Sequence, residues 1–131
     1  MMKRIGVSLI MILILLFLTA CNSSNVVISV KDGTYVLEQT ETKAVALPNV
    51  TISKENISFS YDALSSYFPY GTYKIEGDIL TMKTTDGKYK YLFQVKGDKL
   101  SFQKDGSSEV NLTDNRFGIK ITDNAEFKLK Q

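Results

Sequence analysis

The chain has 131 residues, no histidine, a single cysteine and a formal net charge of +2. Without histidine or a second cysteine, one chain cannot build an imidazole–thiolate metal site, a Ser-His-Asp triad, a histidine general base or a disulfide. Lys3 and Arg4 carry the whole net charge; without them 14 basic side chains face 14 acidic ones and Arg116 is the last arginine, a balance that leaves no basic stripe for nucleic acid.

Residues 1–20 have the three parts of a secretory signal. Lys3 and Arg4 form the positive region, Ile5 to Phe17 the apolar region, and Leu18, Thr19 and Ala20 the small-residue approach to a cut. The apolar stretch predicts a helix, but at about 16 residues it is shorter than the roughly 20 that span hydrocarbon. Leu18-Thr19-Ala20-Cys21 resembles the bacterial lipobox, which implies cleavage before Cys21 and a diacylglyceryl group on its sulfur. Two acyl chains suffice for stable anchoring where one does not. The expected division is therefore a signal peptide over 1–20, a lipidated Cys21 with a polar tether over 21–30, and one β domain over 31–131. Localisation follows as the extracytoplasmic face of a cell membrane, with the membrane as a partner through the lipid.

The β domain opens with a strand at Gly33 to Glu38. Pro48 marks an edge or a strand start. Val50 to Ser53 and Ile57 to Tyr61 form a hairpin about the turn Lys54-Glu55-Asn56. Asp62 to Phe68 breaks the alternation and predicts one helical turn, capped by Asp62 and closed before Pro69. From Tyr70 to Phe102 turn signals recur about every ten residues, at Gly77-Asp78, Asp86-Gly87, Gly97-Asp98 and Asp105-Gly106. Between them the apolar residues alternate: Tyr73 and Ile75; Leu80 and Met82; Tyr89, Tyr91, Phe93 and Val95; Leu100 and Phe102. A lysine- and glutamine-rich face lies opposite, the pattern of antiparallel strands with one wet side. Tyr73 to Met82 and Phe93 to Phe102 repeat apolar-x-apolar-x-Gly-Asp-x-Leu-x-apolar, read as two ordinary hairpins in series. Glu109 to Leu112 is expected to pair briefly, Phe117 to Ile121 is ambiguous, and Glu126 to Lys130 closes the domain. About eight strands predict an all-β antiparallel meander or small up-and-down barrel, whose closure would remove exposed edges.

Gly33-Thr34-Tyr35, Phe59-Ser60-Tyr61, Gly71 to Asp78 and Asp86-Gly87-Lys88-Tyr89, in that order, resemble small lipocalin-like modules of bacterial lipoproteins and of the outer ends of some membrane-bound sensor proteases. The resemblance covers most of Gly33 to Leu129 and implies a fold far more than an activity. Copper- and stress-linked lipoproteins with a similar barrel carry a Cys-x-x-Cys pair that this chain lacks. The inhibitory loop of the lysozyme-inhibitor lipoproteins has no match here.

Tyr61, Tyr67, Phe68, Tyr70 and Tyr73 surround the irregular segment Asp62 to Gly71. They read either as the ligand-binding mouth of a barrel or as a lid folded over one end of its core. Ser101-x-x-Lys104 fits the penicillin-recognising pattern, but a period-two strand puts the two side chains on opposite faces. Asp114, Asp123, Asn124 and Glu126 lack the spacing of a calcium loop. The sequence thus predicts no enzyme, cofactor or metal. It predicts a binding module for a small apolar ligand or an envelope protein, the alternative being an immunity or inhibitor lipoprotein that blocks a secreted toxin or hydrolase.

Overall fold

A computed structural model describes residues 26–39, 46–113 and 118–131. Residues 1–20, Cys21 and its immediate tether, Asp114 and Phe117 lie outside the described residues, so the signal helix and the lipidation site have no structural account. Eight antiparallel strands run β1 (Gly33–Leu37), β2 (Asn49–Ser53), β3 (Asn56–Ser60), β4 (Tyr70–Glu76), β5 (Ile79–Thr84), β6 (Lys90–Lys96), β7 (Lys99–Gln103) and β8 (Glu126–Leu129). Each pairs with its neighbour in sequence, and β8 returns to β1 to close a barrel. The expected all-β class, strand number and up-and-down order are what the structure has. Closure rests on the register Tyr35↔Leu129 and Leu37↔Phe127. Two further backbone bonds extend it, Glu38 to Glu126 at 2.8 Å and Lys130 to Thr34 at 2.9 Å.

The two repeats fold alike. Gly77 and Gly97 each open a two-residue turn at φ +62°, a conformation that glycine adopts without a Cβ penalty. The aspartate after each glycine carries the ladder onward: the Asp78 carbonyl accepts the Val95 N–H and the Asp98 carbonyl accepts the Leu129 N–H, both at 2.8 Å.

The interior is filled by aromatic rings. Phe59 sits at their centre, with the rings of Tyr61, Tyr91, Phe93, Phe127 and Phe102 at 5.0, 5.1, 5.2, 5.7 and 6.1 Å. Several of these contacts are edge-to-face, the arrangement the ring quadrupoles favour. Tyr35, Val50, Ile52, Ile57, Leu80, Met82, Leu100 and Phe127 complete a fully buried core.

Three local expectations are corrected. Residues 62–68 form turns, with no helix. The Asp62 carboxylate accepts the Leu64 N–H at 3.1 Å, an Asx-type turn that competes with a helical start. Tyr89 lies outside β6 and is exposed, because the Thr84 hydroxyl takes its N–H at 3.0 Å and holds residues 85–89 as a loop. Glu109 to Leu112 forms no strand. The chain after β7 meets β6 through serine hydroxyls, Ser107 accepting the Leu92 N–H at 2.8 Å and Ser108 the Lys90 N–H at 3.0 Å.

Candidate functional site at the loop end of the barrel

Strand direction divides the connections between two unlike ends. Residues 54–55, 77–78 and 97–98 are two-residue turns at one end, where the chain also enters β1 and leaves β8. Residues 38–48, 61–69, 85–89 and 104–125 connect strands at the other end. Long connections borne on a rigid scaffold are where binding residues concentrate.

The loop end is held together by side-chain bonds. Besides Leu64, Asp62 accepts the Thr113 N–H at 3.0 Å and is bonded by the Thr113 hydroxyl, which ties the 61–69 loop to the 104–125 connection. Asp86 organises the neighbouring loop. It accepts the Thr84 hydroxyl at 2.7 Å, the Lys88 N–H at 3.0 Å and the Tyr67 hydroxyl at 2.9 Å. Its carboxyl is held below its ordinary pKa, first by the Lys88 N–H and then by Thr84. The Tyr67 ring lies against Tyr89 at 5.2 Å, and Tyr89 stacks on Tyr91 at 6.5 Å.

The five aromatics singled out from the sequence separate into three groups. Tyr61 belongs to the core: its ring packs on Phe59 and its hydroxyl shares a 3.3 Å hydrogen bond with that of Tyr91. Tyr73 works at the opposite end of the barrel, where its hydroxyl donates to the Lys54 carbonyl at 2.7 Å. Tyr67, Phe68 and Tyr70 are exposed at the loop end. Leu64 and Tyr89, absent from the sequence-based set, are exposed there too, and Leu64 (63%) and Phe68 (58%) leave most of their surface in water. Val26 and Val27, before β1, are also exposed, so what marks the loop end is its aromatic rings rather than apolar exposure alone. The clue available in the sequence was composition: a loop containing Leu, Tyr and Phe beside Pro69 departs from ordinary polar turn chemistry.

The cavity bounded by Tyr61, Asp62, Tyr67, Phe68 and Pro69 holds about 160 Å³. Small-molecule sites usually enclose about 300 Å³ or more. A larger groove of about 660 Å³ runs between the limbs of the 104–125 connection, over Phe102, Val110, Leu112, Ile119 and Ile121. Ser101 is fully buried, with its hydroxyl 3.4 Å from the Gln103 amide nitrogen. Among the described residues no three His, Cys, Asp or Glu side chains converge on a metal position, and no helix is long and apolar enough to cross a membrane.

What these features define is a closed eight-stranded antiparallel β-barrel with a filled interior and one aromatic, loop-bearing end. No protein-family model matches the chain, and neither does any curated protein or solved structure.

Proposed function

We propose that this chain is a lipoprotein, anchored through diacylglyceryl-Cys21 on the extracytoplasmic face of a cell membrane, whose lipocalin-like barrel is a non-enzymatic binding module with its loop end turned toward a protein partner. One observation carries the choice of partner. Leu64, Tyr67, Phe68, Tyr70 and Tyr89 are exposed at the end opposite the chain's entry into β1, while Phe59 and its neighbours occupy the interior where a small ligand would otherwise sit. Aromatic side chains with few rotatable bonds dominate protein interfaces, and a Tyr67 already fixed by Asp86 loses little freedom on binding. The anchor agrees with this orientation. Five peptide units from Cys21 to Val26 reach at most about 17 Å, and the chain enters β1 at the tight-turn end, opposite the loops.

Two measurements test the reading. Mass spectrometry of the membrane fraction should find an acylated N-terminal Cys21, and Cys21→Ala should release the chain or leave a precursor; unchanged processing refutes the anchor. A photocrosslinking residue at Phe68 in intact cells should give one discrete adduct, lost with Leu64→Ser. An equal adduct from Ser53, at the other end, refutes the loop-end surface. An adduct with a secreted toxin or hydrolase would select the immunity or inhibitor form of the same reading, which the preorganised Tyr67–Asp86 contact also favours.

A further inference from the structure

The domain is neutral as a whole, but its strands distribute charge unevenly, which corrects the expectation that an even balance leaves no basic stripe. β1, β2 and β3 contain no charged residue. The strands β4 to β8 carry Lys74, Lys83, Lys90, Lys96, Lys99 and Lys128 against only Glu76 and Glu126. The other described acids lie in turns and loops. Lys99 is paired, at 3.0 Å with Glu38 and 3.2 Å with Glu126. Among the described residues Lys74, Lys83 and Lys90 have no ion pair, and all three are exposed.

Register brings these three together. Lys83 lies directly opposite Lys90 across β5 and β6, and Lys83 also faces Thr72 across β4 and β5. Lys74 is one side-chain step further along β4, opposite Thr81. The neighbouring pair is the hydrogen-bonded one, with the Thr84 N–H on the Tyr89 carbonyl at 3.0 Å. Alternation makes Lys83 and Lys90 a non-hydrogen-bonded pair, the kind with the closer side chains. Like charges placed directly opposite oppose sheet formation. A shallow groove of about 380 Å³ runs over this place, lined by Thr72, Lys74, Thr81, Lys83 and Lys90, with Glu76 as its one acid.

We propose that the outer wall of β4, β5 and β6 is a docking groove for an inorganic polyphosphate chain, held by the ammonium groups of Lys74, Lys83 and Lys90. Charge complementarity selects the occupant. Threonines and lysines supply donors without a competing carboxylate at the centre, and a bound anion turns the Lys83–Lys90 repulsion into shared attraction. Lysine binds phosphate as a compact point charge with three donors, and needs none of the planar geometry that the arginine fork offers to carboxylate and phosphate alike. A chain of phosphates, with one charge per repeat, can meet three ammonium groups spread over three strands. This proposal uses none of the loop-end residues and stands or falls independently of that surface.

The test uses the full chain in neutral detergent with fluorescent inorganic polyphosphate. Three phosphate contacts predict a log–log salt slope of about −2, or roughly fifteenfold weaker binding between 50 and 200 mM salt. Lys83→Thr with Lys90→Thr should weaken binding about tenfold and raise the melting temperature, because the like-charge pair is gone. Lys128→Thr, on β8 and outside the groove, should leave binding unchanged. Lys83→Gln alone serves if the double variant does not fold, and the wild-type salt slope requires no variant. No binding of polyphosphate, equal weakening by Lys128→Thr, or equal binding of polyglutamate would overturn the proposal.

Discussion

The Tyr73 hydroxyl donates to the Lys54 carbonyl at 2.7 Å, while both carboxylate oxygens of Asp32 lie 3.1 Å from the Lys54 N–H on its other side. Lys54 sits at φ +57°, in the left-handed region. The first of the three tight turns therefore holds, by two external clamps, the conformation that Gly77 and Gly97 adopt freely in the other two. A non-glycine residue there costs roughly 1 kcal/mol. Lys54→Gly keeps the N–H and the carbonyl, and is expected to stabilise the fold by about 0.5 kcal/mol in urea unfolding. Tyr73→Phe removes one exposed clamp and is expected to lower stability by about 0.5 kcal/mol.

Gly71 lies against the backbone of β5, opposite Thr84. A Cβ on it would lie 1.8 Å from the Lys83 carbonyl oxygen and 2.9 Å from the Thr84 Cα, both backbone atoms that cannot turn aside. Gly71→Ala should therefore cost about 3 kcal/mol or more, at the upper end of overpacking. Its φ plays no part, so the effect is steric. Thermal unfolding followed by circular dichroism would show it, and a Gly71→Ala barrel as stable as wild type would contradict this β4–β5 contact.

Phe59 touches five aromatic rings, so its removal disturbs the whole interior. Phe59→Ala should lose about 3–5 kcal/mol, a large share of the total for a domain of this size. Phe59→Leu should lose less, because it keeps apolar volume but not the edge-to-face contacts. Near-ultraviolet circular dichroism should flatten in the alanine variant below the temperature at which the backbone signal is lost.

Legibility in the sequence followed the range of the interaction. Tyr91, Phe93 and Val95 alternate with Leu92, Gln94 and Lys96, and one buried face fixes such a pattern locally. The Gly-Asp turns were legible because their backbone geometry needs those residues. The partner of Asp62 was not, since Thr113 is 51 residues away in the chain. Nor was the separation of the aromatics: Tyr70 and Tyr73 are three residues apart on one strand, yet Tyr70 is exposed at the loop end and Tyr73 reaches a turn at the other. The facing of Lys83 and Lys90 depends on the length of the 85–89 loop, which the Thr84 and Asp86 side-chain bonds set.

At alkaline pH the groups that titrate in the barrel are its tyrosine hydroxyls and its lysines. The Tyr91 hydroxyl is pushed well above its ordinary pKa of 10.0, first by burial and then by its hydrogen bond to Tyr61. Burial also raises the Tyr35 hydroxyl. A folded pKa above the unfolded one means that the neutral form is favoured in the native state. The associated stability is fully present below about pH 10 and declines as pH rises above it, by up to about 1.4 kcal/mol per pH unit for each such group. Tyr91→Phe removes the ionisable group while keeping the ring. It should cost about 0.5–1 kcal/mol at pH 7, where the 3.3 Å bond to Tyr61 is lost. Above about pH 10 its stability should fall less steeply than that of the wild type, so the two curves converge. Urea midpoints between about pH 8 and 11 measure this directly. Parallel curves across that range would mean that Tyr91 ionises in the native barrel as readily as in the unfolded chain.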